Sequence, residues 1–388
     1  MIILFFPDIP WHSLYQRPQH IAARLAGHWP VLWVEPATLS QKMSFRPARV
    51  HGNLYRVSLP FFPYNARNVR VKLLTRVLSR WRIARWGLAH LQRWLLRRAL
   101  VRLGISDQEI GFFVQNIQAT RLAPLFNPRV VVFDYIDNLF GFTEFPPHVR
   151  TEWRQTIQRA DIVVATSPTL KNLLQAEHPV TVHVVTNGVE YSRFASATTG
   201  RPADLPSPDS PIAGYIGSVY PWLDFSLLHM LLTLLPAMNL VMIGHDHPDV
   251  QEQLRSLREH PNFFFLGVRP YADIPAYLHC FSVALIPFRK TPLTAGVNPV
   301  KLYEYSAAGV QTIATDFSGD MKGFGDIVTI ADTPKRFLEA VRSVIHAGQD
   351  PVRAATRRAF AEQNDWDQKF SVILSLLQRH ISGVAHND

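Results

Sequence analysis

The sequence predicts an α/β protein made of two doubly wound parallel-sheet domains facing across a cleft, and three observations predict it. At 388 residues the chain is too long for one compact α/β core. Short β-branched and aromatic runs alternate with helical segments in both halves, the pattern of right-handed β-α-β units. Between the halves, residues 195–211 are rich in Thr, Ser, Pro and Gly, the composition of a linker. The expected division is a first domain over 1–195, a linker over 196–211, a second domain over 212–364, and a segment 365–388 whose helix, about 366–379, packs back on the first domain.

The first domain opens with Ile2-Ile-Leu-Phe-Phe6, a buried strand by composition. Pro7 to Pro18 is a loop holding Trp11, His12, Gln16 and Arg17, followed by a helix from about Gln19 to Ala26 and a strand over 31–36. Ligands of open α/β sheets bind at the C-terminal edge of the strands, so this first loop is on the ligand side. It contains no Gly-x-Gly-x-x-Gly, so the dinucleotide fingerprint is absent. Arg17 and His20 near a helix start can hold an anion; a solvated capping cluster is the other reading. Strands are expected at 110–114, 130–137, 160–167 and 182–189, with a helix over 168–176. The second of these runs ends in Asp134 and Asp137, which places two carboxylates at the ligand edge, or else supplies turn and cap chemistry for the next helix.

Charge is concentrated in one segment. No acidic residue occurs between Glu35 and Asp107, while that stretch holds 15 of the 40 Lys and Arg: Lys42, Arg46, Arg49, Arg56, Arg67, Arg70, Lys72, Arg76, Arg80, Arg82, Arg85, Arg93, Arg97, Arg98 and Arg102. The remainder carries 25 basic against 30 acidic residues, so the whole surplus of +10 belongs here. Residues 67–103 read as helical, with Leu74, Val77, Leu78, Trp81, Leu88, Leu91 and Leu95 at helical spacing and a break expected at Gly87. The pairs Arg76/Arg80, Arg93/Arg97 and Arg98/Arg102 repel within an isolated helix, which implies an external anion. Trp81, Trp86 and Trp94 lie among them, the pattern of an interfacial membrane helix. An anionic membrane surface is therefore the expected partner, reached through Arg76, Arg80, Trp81, Arg93, Trp94 and Arg97. Nucleic acid is not expected, and a solvated basic face over a packed core is the plain alternative.

The second domain opens with Ile212-Ala-Gly-Tyr-Ile-Gly217, then a helix from an N-cap at Asp224 to Leu235. Strands follow at 240–244, 263–267, 283–287, 311–315 and 327–330. Within this alternation Asn298-Pro-Val-Lys-Leu-Tyr-Glu-Tyr-Ser-Ala-Ala-Gly309 reads as a loop and short helix, with Asn298 at the N-cap, Pro299 at the first helical position and Gly309 just past the end. Lys301 and Glu304 share one helix face near an end that attracts anions. Such a carboxylate can accept two sugar hydroxyls while the lysine faces a phosphate; an ordinary surface ion pair reads equally well.

Other classes are excluded or disfavoured. The single cysteine, Cys280, excludes an internal disulfide framework and fits a reducing, cytoplasmic compartment. The N-terminus lacks a basic region and a long apolar run, so no signal peptide is read, and no stretch of about 18 uncharged apolar residues spans a membrane. The expected location is thus cytoplasmic with peripheral membrane association. No tight acidic pair or His/Cys spacing suggests a metal, and His245 with His247 reads as a solvated loop.

The stretch 298–309, Phe265-Leu-Gly267 before it and Thr186-Asn-Gly-Val-Glu190 resemble the GT-B glycosyltransferases, retaining family-4 type. Gln16-Arg-Pro-Gln-His20, Phe133-Asp-Tyr-Ile-Asp137 and Ala160-Asp-Ile-Val-Val-Ala-Thr-Ser167 narrow the resemblance to the teichuronic-acid branch. It runs over nearly the whole chain except the basic segment. It implies a GT-B fold of two Rossmann-like domains, acceptor on the first and nucleotide sugar on the second, with no metal and no cofactor beyond the donor. Glu304 matches the family's ribose-binding glutamate. Where many members place a second glutamate near the transferred sugar this chain has Gly296, so backbone N–H groups of Gly296, Val297 and Asn298 are expected to serve. The family's basic residues after the second domain's first strand are absent from Gly217-Ser-Val-Tyr-Pro-Trp-Leu-Asp224, so Arg289, Lys290 or Lys301 must supply the charge. Gly217, Ser218 and Gly267 complete the expected donor site; Asp134, Asp137, Arg17 and His20 are the expected catalytic set.

The expected reaction moves a sugar from a nucleotide-diphosphate donor to a hydroxyl of a lipid-linked or polysaccharide acceptor. Helix ends and cations in a dry cleft stabilise the departing diphosphate, and a first-domain carboxylate, Asp134 or Asp137, faces the cationic anomeric carbon. Retention is implied by the resemblance alone. A nucleotide-sugar epimerase and a non-catalytic assembly or polyanion-binding protein on the same scaffold are the alternatives.

Overall fold

The computed structural model describes residues 1–37, 44–62, 69–141, 145–196 and 200–383, apart from the side chains of Val69 and Lys72. Lys42 and Arg67 lie outside the described residues. The chain divides into two compact units, Met1–Thr186 with Phe370–Asp388, and Asn187–Lys369.

The first unit contains β1 (Ile2–Phe6), α1 (Arg17–Leu25), β2 (Val31–Ala37), β3 (Ala48–His51), β4 (Leu54–Pro60), α2 (Val69–Arg80), α3 (Arg82–Arg102), β5 (Ile110–Val114), α4 (Ala123–Phe126), β6 (Val130–Tyr135), α5 (Pro147–Arg159), β7 (Ile162–Ala165), α6 (Pro168–Glu177) and β8 (Val182–Val184). Its eight strands run in the order β3-β4-β2-β1-β5-β6-β7-β8, parallel except for the β3–β4 pair. β1, β5 and β6 are buried along their whole length, as strands covered by helices on both faces must be. One face packs on α3, α5 and α6, the other on α1 and on Phe370, Ile373 and Leu377.

Three expectations change here. α1 begins at Arg17 because the Gln16 N–H donates to Gln19 Oε1 at 3.1 Å, a reciprocal cap. The edge hairpin β3–β4 is absent from the sequence reading, since its half-exposed, arginine-bearing strands carry no apolar run. The basic segment breaks at Trp81, whose extended backbone (φ −80°, ψ 118°) caps α3, whereas Gly87 lies inside that helix. Leu74, Val77, Leu78, Trp81 and Leu91 do not form a packed face: all are exposed, while Leu95 and Leu96 enter the core.

The second unit contains α7 (Tyr191–Ala195), β9 (Ile212–Ile216), α8 (Phe225–Leu234), β10 (Asn239–Ile243), α9 (Gln251–Leu257), β11 (Phe263–Gly267), α10 (Ile274–Leu278), β12 (Val283–Ile286), α11 (Val300–Ala307), β13 (Thr312–Thr315), β14 (Val328–Ala331), α12 (Pro334–Ala347) and α13 (Pro351–Glu362). The six strands are all parallel, in the order β11-β10-β9-β12-β13-β14. The Asp224 carboxylate caps α8 by accepting from Leu227 N–H at 3.0 Å. The expected boundary at 195 shifts to Thr186: Val189 N–H donates to Asn364 O at 3.2 Å and Phe194 is fully buried in the second core. The stretch expected as a linker is tied to the same unit, because Asp204 accepts from Arg269 at 2.6 Å and from Tyr277 at 2.9 Å. The final helix α14 (Trp366–Ser382) begins in the second unit and belongs to the first from Phe370 on. No described helix is long and apolar enough to cross a membrane.

Candidate functional site

Strand order in the second unit reverses between β9 and β12, so its ligand crevice lies outside the C-terminal ends of those two strands. β9 runs out at Gly217 and β12 into Pro287-Phe288-Arg289-Lys290. Tyr215 donates its hydroxyl to Ser218 O at 2.8 Å, which fixes the turn after β9. Gly217 adopts φ +141° and Gly244, at the end of the neighbouring strand, φ +148°. A Cβ on Gly244 would lie 2.0 Å from Gly217 O, so this approach of two strand ends requires glycine.

α11 projects Lys301 into this edge. Its Nζ lies 4.8 Å from the Phe288 ring centroid and 5.3 Å from that of Tyr215. A Cβ built on Gly217 would stand 3.1 Å from Lys301 Cε and 3.3 Å from Nζ. The ammonium therefore sits on two aromatic faces directly over the turn that lacks basic residues. Of the three cations expected to compensate, Lys301 is packed on the aromatic rings at the crevice. Arg289 is exposed and anchored through its backbone, its N–H donating to Trp222 O at 2.7 Å. Lys290 instead pairs with Asp316 at 3.2 Å on the surface.

Glu304 follows on the same helix and is 8% exposed. Burial pushes its carboxyl up to about 7; Lys301 partly opposes this and the like charge of Glu190 adds to it. The folded state thus holds a proton that the unfolded chain releases near its ordinary value of 4.5. This contribution to stability is complete below that value and lost as pH rises through about 7. Relative to Glu304→Gln, the wild type should lose about 3 kcal/mol of unfolding free energy between about pH 4 and about pH 8. Urea unfolding of both proteins across that range checks this, and parallel pH profiles would show that Glu304 is not the group responsible.

Several expected donor ligands serve the framework instead. Asn298 does not cap α11; Pro299 occupies the cap position and Val300 starts the helix. Asn298 Oδ1 accepts from Asn187 N–H at 2.8 Å, Asn187 Nδ2 donates to Asn298 O at 2.6 Å, and Tyr303 bonds the Asn298 amide at 3.0 Å. The N–H groups of Gly296 and Val297 close a turn onto Leu293 O and Thr294 O, so they do not replace the missing glutamate. Gly267 terminates β11, two strands from the crevice, and accepts from Gly244 N–H at 2.9 Å.

In the first unit the reversal lies between β1 and β5. Here the expected catalytic set resolves into a structural network. Arg17 Nη2 donates to Asp134 Oδ1 at 2.8 Å and Nε to Oδ2 at 3.0 Å, while Nη1 donates to Val185 O at 2.9 Å and Thr186 O at 3.1 Å. Gln115 Nε2 donates to Asp134 Oδ2 at 2.8 Å. With its side chain fully enclosed, Asp134 cannot face a substrate, and four of the five Arg17 N–H donors are committed to protein acceptors. His20 is buried edge-on against Tyr15, with ring centroids 4.6 Å apart. Asp137 lies half-buried beyond the end of β6. An exposed carboxylate at the reversal is Asp8, two residues after β1, which the sequence analysis does not name. A lone acid straight after the first apolar strand was the available signal.

Residues 210–347 match the family described as glycosyl transferases group 1. Over 236 residues, 58% of this chain and 59% of the other, the sequence is 28% identical to the Bacillus subtilis (strain 168) protein TuaH, named for teichuronic acid biosynthesis as a glycosyltransferase. The chain thus spans about three fifths of that relative. Sucrose-phosphate synthase from Thermosynechococcus elongatus superposes with TM-score 0.72 at 13% identity, covering 98% of this chain and 99% of that one. Anabaena HepE in complex with UDP gives 0.66 at 13% identity, covering 97% and 100%. The E. coli trehalose-6-phosphate structure bound with UDP-2-fluoro glucose gives 0.70 at 13% identity, covering 98% and 99%. The fold is that of the GT-B glycosyltransferases.

Proposed function

We propose that the protein is a glycosyltransferase that moves a sugar from a nucleotide-diphosphate donor, bound at the β9/β12 edge, to a hydroxyl of a lipid-linked or polysaccharide acceptor at an anionic membrane surface. The observation that carries this is the placement of Lys301 over the Gly217 turn with Glu304 on the same helix. A diphosphate at the turn meets the ammonium, and the ribose of the same nucleotide donates its hydroxyls to the Glu304 carboxylate. As the glycosidic bond breaks, negative charge grows on the leaving phosphate oxygen and Lys301 stabilises it without reorganisation. Attack from the face the diphosphate leaves retains configuration, and a fixed ammonium takes the place a metal would have. Asp8, exposed after β1, and Asp137, beyond the end of β6, are first-unit carboxylates at the ligand edge that can orient the acceptor.

Lys301→Met should lower sugar transfer by about 100- to 1,000-fold, the cost of removing one preorganised charge-stabilising group. Transfer of labelled sugar from a panel of nucleotide sugars to isolated membranes reads this. Undiminished transfer by the variant would remove Lys301 from the mechanism. Conversion of the donor without any acceptor would favour the epimerase reading.

The membrane part of the proposal rests on the α2–α3 surface. Of the seventeen exposed large apolar side chains among the described residues, ten lie between Leu73 and Val101, including Trp81, Ile83, Trp86 and Trp94. A basic, tryptophan-bearing apolar surface of this kind suits the headgroup–acyl boundary of a bilayer. Arg76, Arg80, Arg93 and Arg97 changed together to Gln should release the protein from anionic vesicles, at about 1 kcal/mol per cation. Wild-type protein left in the supernatant with such vesicles at low salt would contradict it.

A further inference from the structure

Where α2, α3, the turn Ile117–Leu122 and α5 meet, the first unit holds a second concentration of charge. Arg121 donates to both oxygens of Glu152, at 2.6 Å from Nη2, and Arg85 Nε lies 3.5 Å from Glu152 Oε1. The Arg85, Arg121 and Glu152 side chains are 19%, 14% and 8% exposed, so two cations share one carboxylate largely out of water. Arg85 Nη1 also donates to Arg80 O at 3.1 Å, which brings the end of α2 to the same place. On α5, burial pushes the His148 imidazole down to about 4, and the charges of Arg85, Arg121 and Arg80 act in the same direction. A partly desolvated cluster with surplus positive charge and a neutral imidazole attracts an anion of more than one charge.

Its place in the fold narrows that anion. The turn Ile117–Leu122 follows β5 and α5 follows β6, so both leave the ligand edge of the first sheet. α3 leads into β5, so its first turn, with Arg85, lies at that same end. Arg80 and Arg85 also flank the corner at Trp81 and Ile83, which are 64% and 83% exposed. The cluster therefore joins the ligand edge to the apolar corner, where a molecule with a sugar at one end and a lipid at the other carries its linking group.

We infer that Arg80, Arg85, Arg121 and His148 form a subsite for the phosphate or diphosphate that links the acceptor to its lipid. This rests on the reading of a membrane-borne acceptor, and free phosphate or a phospholipid headgroup offers the same chemistry. The first arm is an NMR titration of His148 with and without inorganic pyrophosphate at constant ionic strength. The pKa of His148 should rise by about one unit or more when a bound dianion offsets the arginines. Arg80→Gln, at an exposed position that leaves the fold intact, should abolish most of the rise, and Arg121→Gln all of it. The second arm compares phosphatidylcholine vesicles carrying hexadecyl phosphate with vesicles of equal charge carrying phosphatidylglycerol. Stronger retention on the phosphate monoester than on phosphatidylglycerol, a preference lost in Arg121→Gln, supports an acceptor phosphate. Equal retention would overturn that source in favour of a headgroup. A His148 pKa unmoved by pyrophosphate would overturn the subsite itself. A shifted His148 with no retention on any vesicle would instead defeat the membrane reading.

Discussion

Arg17→Met should lower the unfolding free energy by about 3–5 kcal/mol, because it strands an enclosed carboxylate. Asp134 would keep only Gln115 as partner, and the carbonyls of Val185 and Thr186 would lose their donor. Removing one member of a buried pair costs more than the pair itself contributes. Arg17→Met combined with Asp134→Leu should therefore recover much of the loss, since no charge is then stranded. Chemical denaturation followed by tryptophan fluorescence, with seven of the nine tryptophans in the first unit, measures both. A double variant no more stable than the single one would mean that the Val185 and Thr186 bonds, not the ion pair, carry the effect. This network commits Arg17 and Asp134 to holding β6, α1 and the end of the first unit together.

Glu304→Gln should weaken nucleoside diphosphate binding by about 1.5–3 kcal/mol, or roughly 10- to 150-fold, the range for hydrogen bonds to a charged group. The amide accepts with one oxygen and carries no charge, so two ribose hydroxyls cannot both be served as well. Because the wild-type carboxyl titrates near 7, its affinity should also rise with pH through that region while the variant's stays flat. Calorimetric titration at two pH values reads both effects. Equal affinity in the two proteins would remove Glu304 from the donor site. Gln fits the same volume, so a folded variant is expected and the comparison is clean.

The strands were legible because doubly covered parallel strands read as unbroken apolar runs: Ile2–Phe6, Ile110–Val114 and Val283–Ile286 could hardly be anything else. The hairpin β3–β4 was not, since the edge strand β3 buries none of its residues and β4 buries only Leu54, Val57 and Leu59, with Arg49 and Arg56 among them. At the site, Lys301 and Glu304 were visible as charges on a short helix in an apolar context. What hid from the sequence was which polar groups are consumed internally. Asn298 looks like a helix cap and is in fact the receptor for Asn187, 111 positions away in the chain. Gly188 follows from a second distant contact, since a Cβ there would lie 2.6 Å from Asn364 O. Asp134 and Arg17 likewise looked like catalytic candidates until their 117-residue separation closed into one ion pair. Partners so distant in sequence leave no local pattern, so spacing alone misassigns them.

The central claim, a nucleoside diphosphate held by Lys301 and Glu304 at the β9/β12 edge, is tested most directly by ligand protection against thermal unfolding. Wild-type protein, Lys301→Met and Glu304→Gln are each heated with UDP, GDP, ADP, CDP and dTDP and with their sugar conjugates. A ligand that binds only the native state at about 100 times its Kd adds about 2.7 kcal/mol, which raises the unfolding temperature by several degrees. The account predicts that at least one nucleotide protects the wild type and that both variants lose most of that protection. A nucleotide that protects all three proteins equally, or a wild type that none of them protects, would contradict it.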